Sequence, residues 1–100
     1  MRLYQINVPL ETNAGASYAA ALVKFEACML TLAGGYSEFV ARGNWRDDDG
    51  KDHPEPMQVY QFASKPETRT RLVGIAFDLF PDQAAIFTAE LGEAMIVDRK

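Results

Sequence analysis

Polar and apolar residues alternate along the first ten positions: Tyr4, Ile6, Val8 and Leu10 fall on one side, Gln5 and Asn7 on the other. That period of two predicts a half-buried strand over residues 2–10, with Pro9 placing its end near an edge. Thr12-Asn13-Ala14-Gly15 is loop chemistry, and Asn13 or Ser17 can cap the helix that follows by accepting its free backbone N–H groups. From Ser17 to Ala33 the period changes. Tyr18, Leu22, Phe25, Met29 and Leu32 are spaced four, three, four, three, which draws a single stripe down a helix. Val23 and Leu30 lie off the stripe, on a side that would otherwise meet water, as scattered surface residues or as a contact with a second subunit.

Gly34-Gly35 ends this helix, since glycine takes the left-handed backbone that other residues avoid. Alternation then resumes. Tyr36, Glu38, Val40, Arg42 and Asn44 point to one face of a second strand; Ser37, Phe39, Ala41, Gly43 and Trp45 point to the other, the drier one. Asp49-Gly50 is a hairpin-turn signal, and Asp47 to Pro56 reads as a polar loop holding His53, Pro54 and Glu55. Met57 to Ala63 alternates again as a third strand, antiparallel to the second. Ser64-Lys65-Pro66-Glu67 has the capping-box pattern, with Ser64 as cap, and Leu72, Ile75, Ala76 and Leu79 carry a second helix to Pro81. A last strand over 85–91 is interrupted at Gly92 before residues 93–97 resume it. The order of elements, strand-helix-strand-strand-helix-strand, predicts an α+β chain of ferredoxin-like split βαβ type (βαββαβ), an antiparallel sheet with two helices on one face. Such a sheet leaves its other face uncovered, and a homo-oligomer, dimer or trimer, is the expected solution.

One hundred residues, 48% of them hydrophobic and 24% charged, suit one domain over 1–100 with its own core. A net charge of −4 with Lys and Arg scattered along the chain disfavours nucleic acid and leaves a cationic ligand better tolerated than an anionic one. The single cysteine, Cys28, admits no intrachain disulfide. Met1-Arg2 leads straight into the first strand, with no apolar run of signal or membrane-span length, so no membrane partner is read and a cytoplasmic protein is expected.

Familiar site chemistry fails on spacing. A calcium loop set on Asp47-Asp48-Asp49-Gly50 would put its first ligand at Trp45 and its twelfth at Pro56. One His and one Cys make no metal cluster, so no metal or cofactor is expected, and Cys28 at the margin of the stripe reads as a small packed thiol. Gly34-Gly35 follows a helix where a phosphate loop would precede one. What is left is a set of aromatics and carboxylates: Tyr36, Glu38 and Trp45 on the second strand, Asp47 at its end, and Glu90 and Glu93 on the last. The plain alternative makes Glu38 and Arg42 a solvated pair and lets Glu90 face water. The functional one is a cleft for a cation.

The order of elements, the Gly35-Tyr36 junction and the carboxylates Asp47 and Glu90 resemble the phage S-adenosylmethionine lyases, small ferredoxin-like trimers that bind substrate between subunits. The resemblance implies Tyr36, Asp47 and Glu90 as catalytic residues, with Glu38, Trp45 and Glu93 as ligand-binding neighbours. A sulfonium suits aromatic faces and carboxylates. The block Gly43-Asn44-Trp45-Arg46-Asp47, with Pro54-Glu55-Pro56, also resembles small bacterial and phage proteins of no assigned function. Two functions stay open: a small oligomeric protein binding a cationic ligand, lyase-like, and a non-enzymatic oligomeric binding protein.

Overall fold

In the computed structural model, which describes residues 1–99, the strands are β1 (Arg2–Pro9), β2 (Ser37–Arg46), β3 (Asp52–Ser64) and β4 (Phe87–Glu93). The helices are α1 (Ala19–Ala33), between β1 and β2, and α2 (Pro66–Leu79), between β3 and β4. All pairings are antiparallel, in the spatial order β2-β3-β1-β4. This is the expected α+β fold, ferredoxin-like in its order of elements. β2 and β4 are therefore the two edges of the sheet.

Register decides which face each residue takes, because residues directly opposite each other share a face. Tyr4 pairs with Phe62, Ile6 with Tyr60 and Val8 with Gln58, and all six are buried under the helices. α1 adds Phe25 and Met29 to that core, and α2 adds Leu72 and Ala76. Phe80, the residue after α2, is fully buried with its ring edge-on to Tyr18 and Phe25, centroids 4.8 and 6.1 Å away. Such tilted aromatic pairs put ring edge against ring face, which their quadrupoles favour. The sequence reading stopped α2 at Pro81 and missed the anchor one residue before it.

The opposite face carries no helix. Phe39 and Trp45 of β2 lie on it, 48% and 52% exposed, so the side expected to be the drier one is the uncovered one. Alternation identified the two faces of β2 correctly, but the helices cover the other. Along the middle of this open face runs a row of amides: Gln61 Nε2 donates to Gln5 Oε1, and Gln5 Nε2 donates to Asn7 Oδ1, both at 3.0 Å.

Three local expectations change. Half of the polar loop foreseen over 47–56 is strand: Asp52 to Pro56 pair with Arg46 to Arg42. The prolines do not prevent this. The Pro56 carbonyl accepts the Leu10 amide, so its backbone polar groups, and those of Pro54 two residues back, point away from β2, and no β2–β3 bond needs their missing N–H. The capping box does not form, for Lys65 takes the cap position of α2 and the Ser64 hydroxyl donates to the Lys65 carbonyl. Ser17 lies just outside α1, where its hydroxyl accepts the Ala19 amide at 3.1 Å.

Gly34 closes α1 at φ 84° with its N–H on the Leu30 carbonyl, as expected of a left-handed cap. Gly92 lies inside β4 at φ 137°, near a register shift between Leu3 and Tyr4. Beyond Glu93 the chain leaves the sheet instead of resuming the strand, and Met95, Ile96 and Val97 are exposed. The β2–β3 hairpin outruns both β1 and the helices, giving extents of 55 × 26 × 22 Å. Its radius of gyration, 14.6 Å, exceeds the roughly 13 Å of a compact chain this long.

Candidate functional site

The six residues singled out from sequence fall in three places. At the start of β2, the half-buried Tyr36 ring packs edge-on against Tyr60, centroids 5.4 Å apart. Two positions on, Glu38 accepts a 2.7 Å hydrogen bond from Gln58 Nε2. The Tyr60 hydroxyl donates at 2.6 Å to Glu26 of α1. Two carboxyls, Glu26 and Glu38, thus meet beside two tyrosines at the edge of the sheet.

Their electrostatics follow from that crowding. Glu38 is raised above the usual carboxylate range, first by desolvation and then by the neighbouring Glu26 charge and its hydrogen bond. Burial, followed by the charges of Glu26 and Glu38, raises the Tyr36 phenol, and burial with the Glu26 hydrogen bond raises Tyr60 further. Both phenols are held in their protonated, donating form. Sequence reasoning found Tyr36 and Glu38 and missed Glu26, Gln58 and Tyr60. Glu26 follows the core residue Phe25 on α1 and reads as ordinary helix polarity until the register of β3 brings the Tyr60 hydroxyl beneath it.

Asp47 lies just past the far end of β2, roughly 35 Å along the strand from Tyr36. Its carboxylate is taken up by the turn: Oδ1 accepts the Asp49 and Lys51 amides, each at 2.9 Å, and Oδ2 lies 2.8 Å from His53 Nε2. The His53 hydrogen bond and then those amides hold Asp47 below the ordinary aspartate range. The Trp45 indole stacks on the His53 ring, centroids 4.4 Å apart, and donates to Glu55 Oε1 at 3.0 Å. His53, read from sequence as part of a polar loop, is a half-buried part of this tip.

Glu90 and Glu93 lie on β4, the other edge. Glu90 holds Arg2 at 2.6 Å and Glu93 reaches the same guanidinium at 3.8 Å, and the Arg2 hydrogen bond lowers the Glu90 carboxyl. With β3 and β1 between them, Tyr36 and Glu90 are about three strand spacings, roughly 14 Å, apart. Within one chain, then, Tyr36, Asp47 and Glu90 do not share a cleft. Tyr36 is grouped with Glu38, Asp47 with Trp45, and Glu90 with Glu93.

No protein-family model matches the chain, and no curated protein does. Solved structures match over nearly its whole length. The periplasmic divalent cation tolerance protein CutA of Archaeoglobus fulgidus superposes with a TM-score of 0.71 at 9% identity, over 96% of this chain and 86% of that one. The divalent cation tolerance protein CutA1 of Thermus thermophilus gives 0.70 at 13%, over 96% and 86%. The PII-like protein CutA of Nostoc sp. PCC 7120 gives 0.62 at 13%, over 93% and 81%. In fold, the chain is similar to CutA. At such identities the likeness is one of fold alone. It also corrects the resemblance to S-adenosylmethionine lyases, because the structures that match this arrangement are CutA proteins. The order of elements that suggested the lyases is common to many ferredoxin-like chains and cannot select among them.

Cation tolerance is a description of those neighbours. Among the described residues here, no group of three or more His, Cys, Asp or Glu side chains is arranged to hold a metal ion. Nor, among the described residues, is any helix long and apolar enough to cross a membrane.

Proposed function

We propose that this chain is a small, non-enzymatic binding protein that works as a homo-oligomer of two or three copies, joined across the open sheet face. The observation that carries this reading is the uncovered face itself, where Phe39, Trp45 and Phe87 stand 48–58% exposed. Val40, at 65%, extends the apolar surface along the β2 edge. The chain exposes 6721 Å², against about 5,700 Å² for a compact monomer of its mass. A standard interface covers about 800 Å² on each partner, the same order as that excess. Likeness in fold to CutA supports a non-enzymatic reading over a lyase one.

The chemistry at hand points the same way. Asp47 and Glu90, two of the three residues first considered catalytic, spend their carboxylates on a turn and on an ion pair. Multi-angle light scattering at tens of micromolar, a concentration chosen for interfaces of about standard size, tests the proposal. A mass of two or three times 11.1 kDa is expected; a purely monomeric chain overturns the assembly.

A further inference from the structure

β1 ends at Pro9, opposite Met57, while β3 starts further back at Asp52, so a notch opens between the free stretch of β3 and the loop at 11–15. This notch holds a cavity of about 320 Å³, walled by Glu11, Asp52, Glu55 and the stacked Trp45 and His53 rings. A second cavity, of about 680 Å³, shares Asn13, Trp45 and Glu55 with it and is floored by Pro9, Met57, Ile86 and Phe87. The two form one cleft, with Glu11, Asp52 and Glu55 at one end and a mostly apolar floor, rimmed by Asp82 and Gln83, at the other, and the indole between them. Among the described residues, neither lining includes a lysine or an arginine. Asp52 is engaged by Arg46 at 2.7 Å and Glu55 uses one oxygen on the Trp45 N–H, but among the described residues Glu11 has no ion-pair or side-chain hydrogen-bond partner.

We infer that this cleft binds a small amphipathic organic cation, an ammonium head joined to an apolar body. The head sits between Glu11 and the free oxygen of Glu55, beside the Trp45 ring, where a cation is attracted both by carboxylate charge and by the ring quadrupole. The body lies along the half-buried Met57 and Ile86 and the exposed Phe87, gaining the burial that Phe87 above all lacks in the empty protein. A bare metal ion would use only the acidic end and leave that floor exposed. Every described residue of the lining comes from one chain, but Trp45 and Phe87 also belong to the open face through which copies are proposed to join, so ligand and neighbouring copy draw on the same two side chains.

Trp45 is the only tryptophan, and its fluorescence therefore reports on the cleft directly. The test titrates the whole protein with phenethylamine, with phenethyl alcohol as the neutral counterpart, phenylacetate as the anionic one and magnesium as the bare cation. Calorimetry on the same samples measures binding without relying on the fluorophore. Saturable binding of the amine, at least roughly ten-fold tighter than the alcohol and weakened roughly ten-fold by Glu11→Gln, is the expected result, the size of effect set by losing one charged partner. The Trp45 indole bonds Glu55 and stacks on His53, and calorimetry reads the Glu11→Gln variant without depending on its fluorescence. Equal binding of amine and alcohol, indifference to Glu11→Gln, no binding of the amine, or magnesium matching the amine each overturns the inference.

Discussion

The two ends of β3 obey the same backbone rules in different surroundings. From Gln58 to Ser64 one side of the strand is buried beneath both helices, and Tyr60 and Phe62 are locked among aromatic rings. From Asp52 to Pro56 the strand has one neighbour, no helix above it and no buried residue. Both ends are regular ladder. Backbone pairing alone thus suffices for shape, whereas resistance to unfolding comes from apolar burial, and the arm has shape with little of the second.

The sharpest way to break this contrast is to cut a hole at the buried end. Phe25→Ala removes a fully buried ring that meets Tyr60 at 5.5 Å, and is expected to cost about 3–5 kcal/mol in urea unfolding. Trp45→Ala on the arm should cost about 0.5 kcal/mol or less. Comparable costs at the two sites would end the distinction. Phe39→Glu places a charge on the open face and should return the assembly to monomers in light scattering with the unfolding midpoint of the single chain unchanged. An oligomer that survives it would move the contact to another surface, Val23 and Leu30 of α1 being the next candidates at 67% and 55% exposure.

Acid should separate the regions further. Asp82 is held low by the Tyr18 hydroxyl first and the Asn13 amide second, and this contact ties the end of α2 to the start of α1. Its folded pKa lies below its unfolded one, so the folded state binds that proton less well. The stability it contributes is complete above the unfolded value of about 3.9 and is lost as pH falls from there through the folded value. Tyr18→Phe should therefore flatten the fall in melting temperature over that acidic range. A pH dependence unchanged by the substitution would show that the contact carries no such linkage.

Glu38 has the opposite sign. Its folded pKa is raised, so the ionised carboxylate beside Glu26 opposes folding at neutral pH, and that penalty fades as pH falls through the folded value. Glu38→Gln should raise the melting temperature at pH 7 by a few degrees at most, and by less at pH 4. A lowered melting temperature at pH 7 would mean that the carboxylate is needed by Gln58 more than it is opposed by Glu26.

These contrasts also explain what was legible in the residues. Period-two and helical spacing located the buried elements, because burial imposes them: the Phe25 and Met29 stripe and the Tyr4, Ile6, Val8 alternation are both core. The arm was misread because Pro54 and Pro56 look like strand breakers until the neighbour on each side is known. Only three-dimensional register shows that their missing amides face the side where β1 has ended. Tyr36 and Glu38 were found because they share a short stretch of chain. The acid Glu26 was not, since its meeting with Tyr60 joins residues thirty-four positions apart. Asp47, Trp45, Glu90 and Glu93 were grouped with Tyr36 by residue type, and local pattern carries no distance between two edges of a sheet.

The long axis of the molecule has a hydrodynamic consequence. A body 55 Å long and little more than 20 Å thick drags more solvent than a sphere of equal mass and diffuses more slowly. On a gel-filtration column a single chain would leave early by friction alone, imitating a partial dimer. Sedimentation equilibrium balances buoyant mass against diffusion and is blind to shape. The gap between the two readings would measure the arm, and packing that arm against neighbouring copies would close it.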